Sequence, residues 1–382
     1  MTAFLANKRI VVCVGPGGVG KTTTAAAFAA LAAKRGRRTL VTTIDPAPRL
    51  ADALGVPLVA VPTEVPPHVA AALGIAAGKL HVARLDTARA FANLVEEQVP
   101  DLAMRRRIFE NPIYRQITTT LTGSQEYAAT LALYDIVRSN EFDLVVLDTP
   151  PTANALDFLE APHRLAEAIA SPALQWFARP SGSEGRFSLR RLRSGSAIIL
   201  KRLAQFVGSQ FLEDIAAFLS DFQGVLGGFL ARAESVAERL RQPDVAFLLV
   251  LAPESPAVDE ALFFERHLRE AGIHLEAFVA NRVHGRPGLT DVDELTGHLR
   301  ARVELRDTSE ADIERMAAAL GRAALDVSRV CDGEDRELAR LRAAAPNLTL
   351  LQVPLLDHDV ASLAALAQVG AYLSPEGPTP SR

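Results

Sequence analysis

Sulfur is scarce in this chain: 382 residues include two cysteines, Cys13 and Cys331, and three methionines. Two thiols cannot build a disulfide framework or a four-thiolate metal site within one chain. So few methionines leave no flexible thioether lining of the kind that promiscuous grooves use. An excess of one charge is also lacking, since 41 Lys and Arg against 45 Asp and Glu leave a net −4. That balance excludes a protein whose main partner is DNA or RNA. No apolar run approaches the roughly 18 to 20 residues that span a bilayer, the longest being Ala25–Ala33 and Ala246–Ala252. The first residues, Met1 to Arg9, lack the charged-then-apolar order of a signal peptide. With 49% hydrophobic and 23% charged residues, the chain reads as folded and globular. The expectation is a cytoplasmic protein with no transmembrane segment and no nucleic-acid partner.

What is present is a repeated alternation. Short apolar, β-branched runs occur at Arg9–Val14, Thr39–Ile44, Leu80–Leu85, Leu144–Leu147, Ala246–Leu251, Leu275–Ala280 and Leu348–Val353. Most are continuously apolar, as strands covered on both faces are. Between them lie helix-length segments at Thr22–Arg35, Gln125–Arg138, Pro256–Ala271 and Val360–Leu373. This order predicts an α/β fold with a doubly wound, mainly parallel sheet and ligand chemistry at the carboxyl ends of the strands. The alternation stops between Ala155 and Arg241. A Gly/Ser/Arg-rich loop at Arg179–Ser196 is followed by apolar residues at helical spacing from Ile199 through Phe206, Phe211, Phe218, Phe222 and Phe229. The expected organisation is a sheet domain over 1–154 and 242–373, an inserted helical subdomain over 155–241, and a disordered Pro-rich tail over 374–382.

Gly15-Pro16-Gly17-Gly18-Val19-Gly20-Lys21-Thr22 fits G-x-x-x-x-G-K-[ST] between a predicted strand and an Ala-rich helix. That context is what the motif requires of a phosphate loop. Its glycines let successive backbone N–H groups face a phosphate at a helix N-terminus. Lys21 supplies a cation to the β/γ oxygens, and the Thr22 hydroxyl is a magnesium ligand. The alternative is a glycine-rich turn followed by a solvent lysine. Two other strands end in acid: Asp45 opens Asp45-Pro46-Ala47-Pro48-Arg49, and Asp148 opens Asp148-Thr149-Pro150-Pro151-Thr152. Asp148 fits the carboxylate that holds the metal through a water, and Asp45 one that orients or deprotonates an attacking water, also as a water-mediated metal contact. Turn or capping aspartates are the alternatives for both.

These segments, with Val279-Ala280-Asn281-Arg282 and Val353-Pro354-Leu355-Leu356, resemble the ArsA-type ATPases in order and over nearly the whole chain. That family includes arsenite-pump ATPases and ATPases that deliver tail-anchored membrane proteins. The resemblance implies a P-loop ATPase using ATP and Mg²⁺, dimeric, with switch segments at Asp45–Asp52 and Asp148–Asp157 that sense the γ-phosphate. Carried over by position, Asp45 positions the hydrolytic water, Asn281 reads adenine, Pro354 and Leu355 flank the base, and Thr23 touches the α-phosphate. It also implies that hydrolysis opens and closes a helical surface for a hydrophobic protein client, for which the Phe206–Phe229 series is the candidate lining.

Departures from the family pattern shape the reading. The family's extra loop lysine, which reaches the partner's phosphates across the dimer, is here Pro16. A cation in trans of this kind contributes on the order of 10³ to 10⁵ in rate. The chain then forms a slow homodimer, uses another cation such as Arg49, or pairs with a related ATPase that retains the lysine. The pump's arsenite-binding cysteines and a C-x-x-C zinc clasp are missing: Cys13 falls in the first strand, and Cys331 is expected in a late polar loop. An arsenite-pump subunit therefore ranks low. Against the leading reading of an ATP-hydrolysing dimeric switch stands a weakly hydrolysing, nucleotide-binding regulatory subunit. A partitioning ATPase is third, since its basic surface is not evident. The basic clusters Arg105–Arg107 and Arg186–Arg193 are solvated faces or contacts for an acidic partner or lipid headgroups.

Overall fold

The computed structural model describes residues 7–45, 47–120, 124–149, 214–215, 217–218, 221, 228, 231–232, 234–360, 362–374 and 377–378. Eight strands form one sheet: β1 (Ile10–Val14), β2 (Thr39–Thr43), β3 (Thr63–Glu64), β4 (Leu80–Arg84), β5 (Leu144–Asp148), β6 (Val245–Leu251), β7 (Leu275–Val283) and β8 (Thr349–Pro354). Their order is β3-β4-β2-β5-β1-β6-β7-β8. All neighbours run parallel except β3, which pairs antiparallel with β4 at the edge. The fold is thus an α/β sheet of the doubly wound kind. Seven strands follow the predicted runs. The two-residue β3 carries no period for a sequence pattern to reveal.

The apolar runs explain the layering. β6 is buried at all seven positions and β1 at all five. Along β1, Ile10, Val12 and Val14 enter one core with Phe91, Phe247 and Phe278. Val11 and Cys13 enter the other, with the alanines of α1 (Lys21–Lys34). Neither face can be left to water, which is why helices cover both. The small side chains of α1 let it lie close to its neighbours. Gly370 of the helix Leu363–Tyr372 comes so near that an added Cβ would stand 3.3 Å from Ala27 O.

One region differs from the expectation. Cys331 is not in a loop but inside a 35-residue helix, Glu310–Ala344. It is 3% exposed, with its Sγ donating to His284 O at 3.7 Å. The buried face of this helix is sparse and mixed, running through Ile313, Ala317, Gly321, Cys331, Glu334 and Leu338. Many charged residues and a buried glutamate hide its period. The expected helical insertion at 155–241 falls mostly outside the described residues, as do the Arg179–Ser196 loop, Pro46 and most of the tail.

Topology fixes where a ligand can sit. Beyond β1 the chain turns toward β2, and beyond β6 it turns toward β7, so β1 and β6 part in opposite directions. A crevice at the carboxyl ends of such strands is the ligand position of open α/β sheets.

Candidate phosphate-binding site

The loop after β1 opens at this crevice. Gly15, Gly18 and Gly20 have φ of 141°, 78° and 96°, a region closed to most side chains. Gly15 is also forced by space, since a Cβ there would lie 2.0 Å from Val250 O of β6. The loop delivers the chain into α1, whose N-cap, Gly20, makes no side-chain capping bond. The first N–H groups of this 14-residue helix therefore face the crevice with the positive end of the helix dipole behind them.

Lys21 is 6% exposed, and its Nζ donates to Pro16 O at 2.7 Å. Burial pushes its pKa below the usual lysine range, Asp148 and Asp45 oppose that shift, and Arg49 adds to it. Beneath it, the Thr22 hydroxyl donates to Asp148 Oδ2 at 2.9 Å. The Thr43 hydroxyl, 3.1 Å from the same oxygen, is the second donor within reach, and it accepts the Asp45 N–H at 3.1 Å. Asp148 is 1% exposed, and its Oδ1 has no hydrogen-bond partner among the described residues. Burial raises its pKa to about 6, against the pull of Thr22, Thr43 and Lys21. A buried, half-satisfied carboxylate beside a threonine hydroxyl is a hard-oxygen donor set, and it fits a cation such as Mg²⁺.

Asp45 is 8% exposed and closes its own turn, Oδ1 accepting from Ala47 N at 2.9 Å. Its Oδ2 pairs with Arg49 Nη1 at 3.1 Å. Asn281, on β7, reaches back to the loop, its Nδ2 donating to Val19 O at 2.8 Å. Pro354 and Leu355 lie elsewhere, on a cleft of about 670 Å³ shared with Gly285, His358, Gln368 and Tyr372. Thr23 sits half-buried on the first turn of α1. Lys21, Thr22, Asp45 and Asp148 are thus brought together and Asn281 joins the loop, while Pro354 and Leu355 line a cleft beside the end of β7.

Two participants have no role in the sequence reading. Thr43 links Asp148 to Asp45, and the Thr149 hydroxyl donates to Cys13 O at 2.8 Å, tying β5 to β1 beneath the loop. The available signal is a hydroxyl where a doubly covered strand should be apolar. Thr42 and Thr43, both fully buried, interrupt β2 in that way. Cys13 serves packing: burial and the nearby Asp148 push its thiol far above the usual range.

A glycine loop joining β1 to α1, facing an aspartate at the end of a neighbouring parallel strand, defines the phosphate-loop NTPase class of α/β fold. Residues 8–176 match the model of the ArsA ATPase family, described as anion-transporting ATPases. Over those residues, less than half of the chain, it is similar to that family. An uncharacterized protein of Streptomyces coelicolor is 32% identical over 280 residues, 72% of this chain and 62% of that protein. An Aquifex aeolicus protein, named as a candidate arsenical pump-driving ATPase, is 23% identical over 281 residues, 72% and 63% of the two chains. A Cryptosporidium parvum protein named an ATPase ASNA1 homolog is 25% identical over 301 residues, 78% and 69%. This chain spans less than two thirds of the length of the first two. Among the described residues no helix is long and apolar enough to cross a membrane.

Proposed function

We propose that the chain binds ATP with Mg²⁺ and hydrolyses it to ADP and phosphate. In this reading it is a dimeric switch that couples the reaction to a helical surface at 155–241 for a hydrophobic protein client. The observation that carries the reading is Asp148, a buried carboxylate with one oxygen held by threonines and the other unpartnered among the described residues, under an uncapped helix start.

The geometry supports the following roles. Loop N–H groups and the α1 terminus take the phosphate oxygens. The Lys21 ammonium, parked on Pro16 O, has stronger partners in polyphosphate oxygens and moves to them. Thr22 directly, and Asp148 and Asp45 through water, would hold the cation. When bound, that cation neutralises charge on the phosphates. Asp45 holds the attacking water, its carboxylate fixed by the Ala47 N–H and steered by Arg49. Thr43 keeps the two carboxylates in one register, touching Asp148 with its hydroxyl and receiving the Asp45 N–H.

The full chain is expected to bind labelled Mg·ATP and to release phosphate, with binding lost in Lys21→Ala. Absence of any binding that depends on Lys21 would overturn the reading.

A second reading, a regulatory subunit that binds nucleotide and hydrolyses it weakly, is favoured by Pro16, which has neither charge nor N–H where the family resemblance implies a lysine. The pairing of Arg49 with Asp45 supports it, since the substitute cation is already committed. Turnover measured alone, with a lysine-bearing relative, and in Pro16→Lys separates the two. A large gain with the relative or in Pro16→Lys favours the subunit, and brisk turnover alone favours the autonomous enzyme. An arsenite-pump subunit ranks below both, because Cys13 and Cys331 are each buried in packing roles.

A further inference from the structure

Asn281 stands at a break in β7. The register of β7 against β8 shifts between Ala280 and Val283, and Arg282 has φ of 60°. A non-glycine residue in the left-handed region costs on the order of 1 kcal/mol or more and is kept where the surroundings over-determine it. Here they do so from both sides of the break. Beyond it, the buried Glu334 of the Glu310–Ala344 helix takes the His284 N–H at 3.0 Å and faces the His284 Nδ1 at 2.6 Å. Leu355 N donates to Val283 O at 2.9 Å. Before the break, Phe278, Val279 and Ala280 lie in regular register with both neighbouring strands.

The bulge changes where the Asn281 side chain goes. Its Nδ2 reaches Val19 O at 2.8 Å, across 262 residues of sequence, in the middle of the glycine loop. The approach is tight enough that a Cβ on Gly20 would stand 2.3 Å from that nitrogen. Gly20 is therefore required twice, by its φ of 96° and by Asn281. Fixing Val19 O also fixes the Val19–Gly20 peptide, and with it the direction of the Gly20 N–H.

We propose that Asn281 is a positioning residue of the phosphate loop: aimed by the bulge at Asn281–Arg282, its carboxamide holds Val19 O and so presets the loop N–H groups for a polyphosphate, whatever base that polyphosphate carries. The inference rests on the nucleotide reading and adds to it. A residue that serves only the base changes affinity for nucleosides alone. A residue that sets the loop changes affinity for phosphate chains lacking any base.

The discriminating probe is Mg²⁺-tripolyphosphate, titrated calorimetrically beside Mg·ATP into the full chain, Asn281→Asp and Asn281→Ala. Asn281→Asp keeps the shape but puts a carboxylate beside the phosphates, so its loss includes charge repulsion; Asn281→Ala removes the donor without adding charge and is the variant that decides. Loss of one hydrogen bond predicts about fivefold weaker tripolyphosphate binding, with ATP weakened at least as much. Hydrogen exchange of a loop peptide covering 15–22, without ligand, is expected to quicken in both variants while β1 and β6 keep their protection. Unchanged tripolyphosphate affinity with weakened ATP would make Asn281 a base contact and overturn the inference. Unchanged loop exchange in both variants would also overturn it. Failure of the wild-type chain to bind either ligand would bring down the nucleotide reading, and this inference with it.

Discussion

The two halves of the strand-end rim are built on different principles. On the β1, β2 and β5 side, Lys21, Asp45 and Asp148 are buried charged groups within a few bonds of one another, each anchored by a backbone group or a hydroxyl. On the β7 and β8 side stand the Asn281 carboxamide and an open cleft whose edge carries Leu355, 48% exposed, with Asp357, His358 and Asp359. Burying charge without a ligand is costly unless opposite charge and hydrogen bonds accompany it. The first half bears that cost, as the shifts of Lys21 and Asp148 record. The second half buries one carboxylate, Glu334, which faces His284. The two sides thus differ in how densely they gather buried charge.

The largest effect should come from the charged side. Lys21→Ala removes a cation that makes charge-assisted bonds to more than one phosphate oxygen, so ATP and tripolyphosphate affinity should each fall by about 100-fold or more. Titration of the two ligands in parallel checks this, and equal losses mark Lys21 as blind to the base. Asp148→Asn should lower Mg²⁺ affinity or turnover by about 10- to 100-fold, as for a group that acts on a metal through water.

The same substitution should stabilise the ligand-free fold, with a defined pH sign. The Asp148 pKa is raised from 3.8 to about 6, so the folded state holds that proton more tightly than the unfolded chain. The resulting stability is fully present below the unfolded value and lost as pH rises through 6, which leaves a penalty of about 3 kcal/mol at neutral pH. Asp148→Asn should therefore melt higher than wild type at pH 7.5, and the gap should close toward pH 4. A constant gap across that range would show that the carboxylate is not strained by burial.

Thr43→Val tests how the charged side is held together. It withdraws a donor from Asp148 and the acceptor of Asp45 N–H while keeping nearly the same volume. The expected cost is about 1 to 3 kcal/mol in denaturant unfolding, with the Asp148 pKa moving further up.

How far each half can be read from sequence follows the same division. Gly15–Thr22 and the aspartates at Asp45 and Asp148 stand at strand ends, where a local pattern and a local chemistry coincide, so the charged half was legible. Thr43 was not, because a threonine inside an apolar strand is also an ordinary β residue. The family resemblance pointed to Asn281, but its bond to Val19 was not foreseen, since it depends on a bulge and a left-handed Arg282 that no spacing encodes. The 35-residue helix holding Cys331 was missed because Glu334, a charged residue, occupies its core face to hold His284.

The smallest effect belongs to the open rim, and it sharpens the contrast most. Leu355 is half-exposed, so its truncation removes only a fraction of a buried side chain's worth, about 0.5 kcal/mol. Leu355→Ala should weaken Mg·ATP by about twofold and leave Mg²⁺-tripolyphosphate binding unchanged, since a phosphate chain has nothing to lay against an apolar edge. Unfolding stability should also be unchanged, because the side chain's exposed half contributes little to the core. Loss of tripolyphosphate affinity in this variant would mean that the cleft communicates with the loop, and the rim could then no longer be treated as two independent halves.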